Sequence, residues 1–142
     1  MPFSPKKLLL TYDAAGGACK RVVPRMQRML EDRAFVVTVS EIAAAPTDLS
    51  AFDGVVIGTP VSLRGEGPTA AVVDWVKKAE GLDEKRVGLF SVFWLREGPA
   101  LDRLRAQLAE VGAEVVIAYA YWAARPAEGE HLLPAECMIR IR

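Results

Sequence analysis

A chain of 142 residues with 51% hydrophobic side chains is about one domain long and can bury a real core. Eighteen basic residues balance eighteen acidic ones, which excludes a global field able to gather nucleic acid or an anionic membrane. Cys19 and Cys137 stand far apart with no CxxC pair, and no apolar run reaches the roughly 20 residues that span a bilayer. A soluble protein of the reducing cytoplasm is expected, with neither nucleic acid nor membrane insertion among its partners.

Residues 7–11 (KLLLT) read as a first strand, followed by the glycine-containing loop TYDAAGGACKR. A helix is expected over about 19–33, with Val22, Val23, Met26, Met29 and Leu30 inward and Pro24 bending it or delaying its start. Residues 35–40 (FVVTVS) form a second strand, and EIAAAPTDLSAFD, broken by Pro46 and polar residues, is a loop with at most one turn. Residues 54–59 (GVVIGT) form the third strand. A helix then runs over about 68–79, with Pro68 near its first turn, Val72, Val76 and Ala79 inward and Trp75 at the edge.

Residues 86–93 (RVGLFSVF) make the fourth strand. In the helix over 99–111, Leu101, Leu104, Leu108 and Val111 share one stripe, and Gly112 stops it. Residues 114–122 (EVVIAYAYW) make the fifth. Nearly continuous apolar strands alternating with helices indicate a parallel sheet covered on both faces.

Past strand five, Pro126, Gly129 and Pro134 argue against a normal helix in AARPAEGEHLLPAECMIRIR, dividing the chain into a domain over 1–123 and a tail over 124–142. MIRIR alternates like a half-exposed edge strand, with Ile139 and Ile141 opposite Arg140 and Arg142. Strand five places Val115, Ile117, Tyr119 and Tyr121 on one face and Val116, Ala118, Ala120 and Trp122 on the other. Without a covering helix one apolar face would stay wet, so a homodimer through strand five and the tail is expected, broken by Tyr121→Glu.

Two segments sharpen the fold class. DLSAFDGVVIGTPVSLRGEGPTAAVVDWV (48–76) and GLFSVFWLREGPALDRLRAQLAEVGAEVV (88–116) resemble the third and fourth strands, loops and helices of the flavodoxin-like superfamily. The likeness covers about 6–122 and is nearest to short flavodoxin-domain proteins related to flavodoxins and to menaquinone-dependent protoporphyrinogen oxidase. It implies an α/β three-layer sandwich, with a five-stranded parallel sheet of order 2-1-3-4-5, and FMN at the carboxyl ends of the strands. An open parallel sheet of that order has its ligand crevice where strand order reverses, between strands one and three.

Aligned with the family, the phosphate loop comprises Thr11, Ala14, Ala15, Gly16, Gly17 and Ala18, and the flavin-side loops contribute Pro60, Val61, Ser62, Trp94 and Gly98. Alanines 14, 15 and 18 stand where the family carries threonine or serine, each lost hydroxyl removing about 1 kcal/mol of hydrogen bonding. Asp13 adds negative charge, so FMN is expected to be weakly held. Backbone donors from residues 15–19 and Lys20 remain to hold a phosphate.

Trp94 has two readings, an edge residue of the core or a platform for a flat ring. Arg64 and Arg96 read first as solvated loop charges. Cys19 reads as a packing residue. His131 stands alone in the tail, and nothing forms a metal-ligand cluster or a nucleophile-base pair. A receiver domain of the same topology would need an acid at the end of strand three, where Thr59 stands.

The resulting expectation is an FMN-binding electron-transfer or small redox protein with a redox partner, an FMN-dependent oxidoreductase if it is an enzyme. The alternative is a flavin-free binding or scaffold protein on the same fold.

Overall fold

The computed structural model describes residues 5–141. Five strands, β1 (Lys7–Tyr12), β2 (Val36–Glu41), β3 (Gly54–Pro60), β4 (Arg86–Phe93) and β5 (Glu114–Trp122), form one sheet of order β2-β1-β3-β4-β5. Every neighbouring pair is parallel. The central strand β3 is buried along its whole length, as a strand sheathed by helices on both faces must be.

One layer is made by α1 (Val23–Asp32) and α4 (Leu132–Arg140), the other by α2 (Ala70–Lys78) and α3 (Ala100–Glu110). Leu8, Leu10, Val56, Phe90 and Tyr121 face the first layer. Leu9, Val55, Ile57, Val87 and Leu89 face the second. The alternation along each strand thus feeds two separate cores.

Pro24 delays the first helix as its fixed φ requires. A 3-10 turn over Cys19–Arg21 precedes α1, and the proline sits in the first turn, where no N–H is needed. The connection after β2 carries a single 3-10 turn, Ile42–Ala44. Trp75 is 5% exposed, inside the core and not at its edge, because it lies one residue from Val76 on a stripe that α2 buries beneath the β2–β3 connection.

The tail departs from the sequence expectation. It contains a helix, α4, not an irregular segment ending in an edge strand. Pro126 and Gly129 lie in turns before the helix, and Pro134 is its third residue, where N–H groups have no intrahelical partner in any case. Successive turns, Arg125 N–H to Trp122 C=O, Glu128 to Arg125 and Leu132 to Gly129, carry the chain from β5 to α4. The Arg25–Glu130 ion pair at 2.8 Å ties this passage to α1.

Helical rotation separates Ile141, 5% exposed, from Ile139, 70% exposed, instead of placing them on one side. Arg142 lies outside the described residues. Cys137 packs where β4 carries Gly88, and a Cβ on that glycine would stand 3.3 Å from the thiol sulfur.

The faces of β5 also differ from strict alternation. Val87 pairs with Val115, but Gly88 pairs with Ile117, so Val116 is an extra residue in a bulge. Val115 and Ala118 consequently face the α2–α3 core, while Val116, Ile117, Tyr119 and Tyr121 face α4. Tyr121 is 1% exposed, in edge-to-face contact with Phe90 (6.1 Å) and Tyr119 (4.8 Å). The face expected to be wet is covered within the chain, which removes the premise for a dimer through it. Tyr121→Glu would bury a charge in the core.

Candidate functional site

Parallel strands point their carboxyl ends the same way, so the loops after β1, β3 and β4 meet at one rim. Between them lies an open crevice of about 570 Å³, within the range of cofactor sites. It is lined by Ala15, Gly16 and Ala18 from the first loop, by Pro60, Val61 and Ser62 from the second, and by Trp94 from the third. Thr11, Ala14, Gly17 and Gly98 do not line it. Thr11 is fully buried within β1 with its hydroxyl unpartnered.

The first loop is shaped by two consecutive glycines with positive φ, Gly16 at 72° and Gly17 at 74°. That conformation is costly for residues with a Cβ. The Gly17 N–H returns to the Ala14 carbonyl (3.0 Å). The N–H groups of Gly16, Ala18 and Cys19 are not taken up by any carbonyl or carboxylate among the described residues. They are the donors left for an anion.

Asp13 competes for the same space. Its carboxylate accepts the Ala15 N–H at 2.9 Å and the Thr69 hydroxyl at 2.6 Å, bracing the loop against the start of α2. The Thr69 N–H in turn donates to the Thr59 hydroxyl oxygen at 3.2 Å. Thr59 therefore orients the entry of α2 and is fully buried. Thr69 escaped the sequence reading, though a threonine directly before a helical run is a recognisable signal.

The second loop turns tightly on Ser62, whose hydroxyl accepts the Glu66 N–H and whose backbone N–H donates to the Glu66 carbonyl, both at 3.0 Å. Glu66 borders the crevice and adds a second carboxylate to its edge. The third loop is pressed against the second. A Cβ on Gly98 would lie 1.9 Å from the Gly65 carbonyl oxygen, and the Arg96 side chain lies over Gly65. Gly98 thus sets the spacing of the loops without touching the crevice, and Arg96 is an exposed charge whose stem lies over Gly65. Leu63 (63% exposed) and Leu95 (74%) stand out at the rim.

Trp94 is 39% exposed and lines the crevice, so it is not a core-edge residue. Its carbonyl accepts the Trp122 indole N–H at 3.0 Å. The Arg21 guanidinium lies 5.2 Å from its ring centroid. Cys19 is buried, and burial, helped by the Asp13 charge, pushes its thiol up to about 12. Cys137 rises to about 12 for the same first reason. Both are packing residues with no thiolate at neutral pH.

Among the described residues no group of three or more His, Cys, Asp or Glu is arranged to hold a metal ion. No helix there is long and apolar enough to cross a membrane. The site offers a flat aromatic wall, backbone donors and no acid-base pair.

A family model described as "Flavodoxin domain" matches residues 9–118. The chain belongs to that family. It is similar over its fold to oxidised flavodoxin 1 from Bacillus cereus, with 20% identity and a TM-score of 0.78 over 94% of this chain and 98% of the other. Two-electron reduced flavodoxin from Megasphaera elsdenii is 17% identical with a TM-score of 0.80, over 92% and 97% of the two chains. A mutant flavodoxin from Fusobacterium nucleatum, bound to flavin mononucleotide, is 15% identical with a TM-score of 0.69, over 96% and 95%. No curated protein matches the sequence significantly.

Proposed function

We propose that the chain binds FMN in the crevice and serves as a small electron-transfer protein, with the flavin held more by its ring than by its phosphate. The observation that carries this reading is that Trp94 and the glycine loop at Gly16 border one crevice, at the point where strand order reverses between β1 and β3. The residues fit the group. Trp94 supplies an aromatic wall, residues 60–62 supply backbone and apolar contact, and Gly16 and Ala18, whose N–H groups have no partner among the described residues, border the crevice at the phosphate loop.

When bound, FMN supplies reversible one- and two-electron chemistry. The chain's part is to orient the ring against Trp94, keep water from its inner face and leave the rim at Leu63 and Leu95 for a redox protein partner. No side-chain acid or base is needed.

Weak phosphate binding follows from Asp13, which occupies the Ala15 donor and repels an anion. In Asp13→Asn the amide oxygen can still accept the Ala15 N–H while the amide N–H donates to the Thr69 hydroxyl oxygen, so the variant removes the charge and is expected to tighten FMN binding about tenfold at low salt. Riboflavin and FMN should therefore bind wild type with similar affinity and separate in the variant. Trp94→Ala should weaken both flavins about tenfold through lost stacking and burial. Each is read by quenching of flavin fluorescence, with circular dichroism checking the fold. No quenching by excess FMN in folded protein would overturn the reading.

The same Asp13 contact supports a second reading, a flavin-free binding protein whose phosphate cradle is permanently closed. In that case Asp13→Asn would leave FMN unbound.

A further inference from the structure

We infer that Arg21 biases the crevice toward the reduced, anionic flavin, acting through Trp94 as a positioned positive charge. The inference rests on the proposed FMN binding and goes beyond it to the redox state preferred. The guanidinium of Arg21, which does not itself line the crevice, sits over the ring of Trp94, which does. It is held there by its Nε–H, which donates to the Ala123 carbonyl at 2.8 Å, just past the end of β5.

Among the described residues no carboxylate pairs with Arg21. Its neighbour Lys20 is paired with Glu41, and nearby Glu130 is engaged by Arg25. An arginine commonly finds a carboxylate or an aromatic face. Here it takes the aromatic face without a direct ion pair, beside a ring that lines the crevice, while Glu130, which borders the same small cleft as Arg21, is engaged by Arg25.

Charges of both signs surround the crevice: Asp13 belongs to the phosphate loop, Glu66 borders the crevice from the flavin-side loop closed on Ser62, and Arg21 stacks on Trp94. Two electrons and one proton convert FMN to FMNH⁻, adding one negative charge to the ring system while the phosphate is unchanged. The Asp13 carboxylate at the phosphate loop therefore acts on both redox states in nearly the same way, whereas Glu66 and Arg21 act on the ring in opposite senses and Arg21 favours the reduced state. A unit charge acting over about 10 Å at an effective dielectric of about 20, lowered by salt, amounts to about tenfold in relative affinity. For a two-electron couple that is about 30 mV.

The test compares the FMN complexes of wild type, Arg21→Gln and Arg21→Lys, measuring the dissociation constant of oxidised FMN by fluorescence and the two-electron midpoint potential by equilibration with a low-potential redox dye reduced by dithionite. Arg21→Gln is expected to lower the potential by the equivalent of about tenfold while changing the oxidised-state dissociation constant less than about threefold. Arg21→Lys, which keeps the charge, should retain most of the wild-type potential.

A salt series guards against misfolded variants. Raising salt should shrink the gap in potential between wild type and Arg21→Gln, because only the charge-dependent preference is screened, and a gap that salt does not change would overturn the charge role. Unchanged potential in Arg21→Gln, or an equal fall in Arg21→Lys, overturns the role of Arg21 and leaves FMN binding standing. Failure of wild type to bind FMN overturns the proposed function and this role with it.

Discussion

Leu133→Ala is expected to destabilise the protein by about 2–5 kcal/mol, a large part of the roughly 5–15 kcal/mol that holds such a domain folded. Leu133 is fully buried on the inner side of α4, in the core that contains Tyr121, Phe90 and Leu30. Removing its side chain leaves a cavity between a helix and a sheet that cannot easily close, because Cys137 already sits tightly over Gly88. Ile139→Ala on the same helix should change stability by less than about 0.5 kcal/mol, since that side chain is 70% exposed.

Urea denaturation of the two variants reads the difference directly. An edge strand would make Ile139 and Ile141 equivalent and leave Leu133 outside the pattern. Comparable losses at 133 and 139 would therefore show that the tail does not adopt α4.

Gly98→Ala is expected to weaken FMN binding by at least about tenfold and to cost about 1–3 kcal/mol of stability, although residue 98 does not line the crevice. The new methyl group would fall 1.9 Å from the Gly65 carbonyl oxygen, a backbone atom that cannot swing aside. Residue 98 also has φ of 57°, in the left-handed region that alanine adopts at a cost. The loops bearing Ser62 and Trp94 must then move apart, opening the space that a flat ring would fill. Gly65→Ala should have a smaller effect, because its new methyl would meet the flexible Arg96 side chain instead of backbone. Flavin titration of both variants, with melting temperatures alongside, separates the two. Equal affinity in Gly98→Ala and wild type would show that loop spacing does not shape the site.

Much of this architecture is legible from local pattern. The five strands show as short, nearly continuous apolar runs, and the observed boundaries differ from the pattern by a residue or so at most ends. Strand order follows from the family resemblance, and the crevice from strand order. Pro24 and the stripe at Leu104 and Leu108 could be placed because their constraints act within one turn of helix.

The tail could not be read in this way. Pro126, Gly129 and Pro134 are helix breakers only if they fall inside a helix, and their effect depends on a start point that local composition does not mark. Burial decides it: only helical rotation puts Leu133, Cys137 and Ile141 on one face while leaving Ile139 off it, and an uncovered face of β5 was there to receive them. Likewise the bulge at Val116 inverts part of the β5 pattern, and nothing in an unbroken run of apolar residues announces it.

The sequence by itself determined the elements, their alternation, the parallel sheet and the presence of a loop cluster at its carboxyl edge, because periodicity and backbone restriction act over a few residues at a time. Only the tertiary structure decided that Asp13 would turn inward to Thr69, that Gly98 would abut Gly65, and that Arg21 would lie over Trp94. Those pairs are separated by 56, 33 and 73 positions in the chain, so no local preference could select them. They exist because packing two helical layers onto one twisted sheet brings distant loops to the same rim.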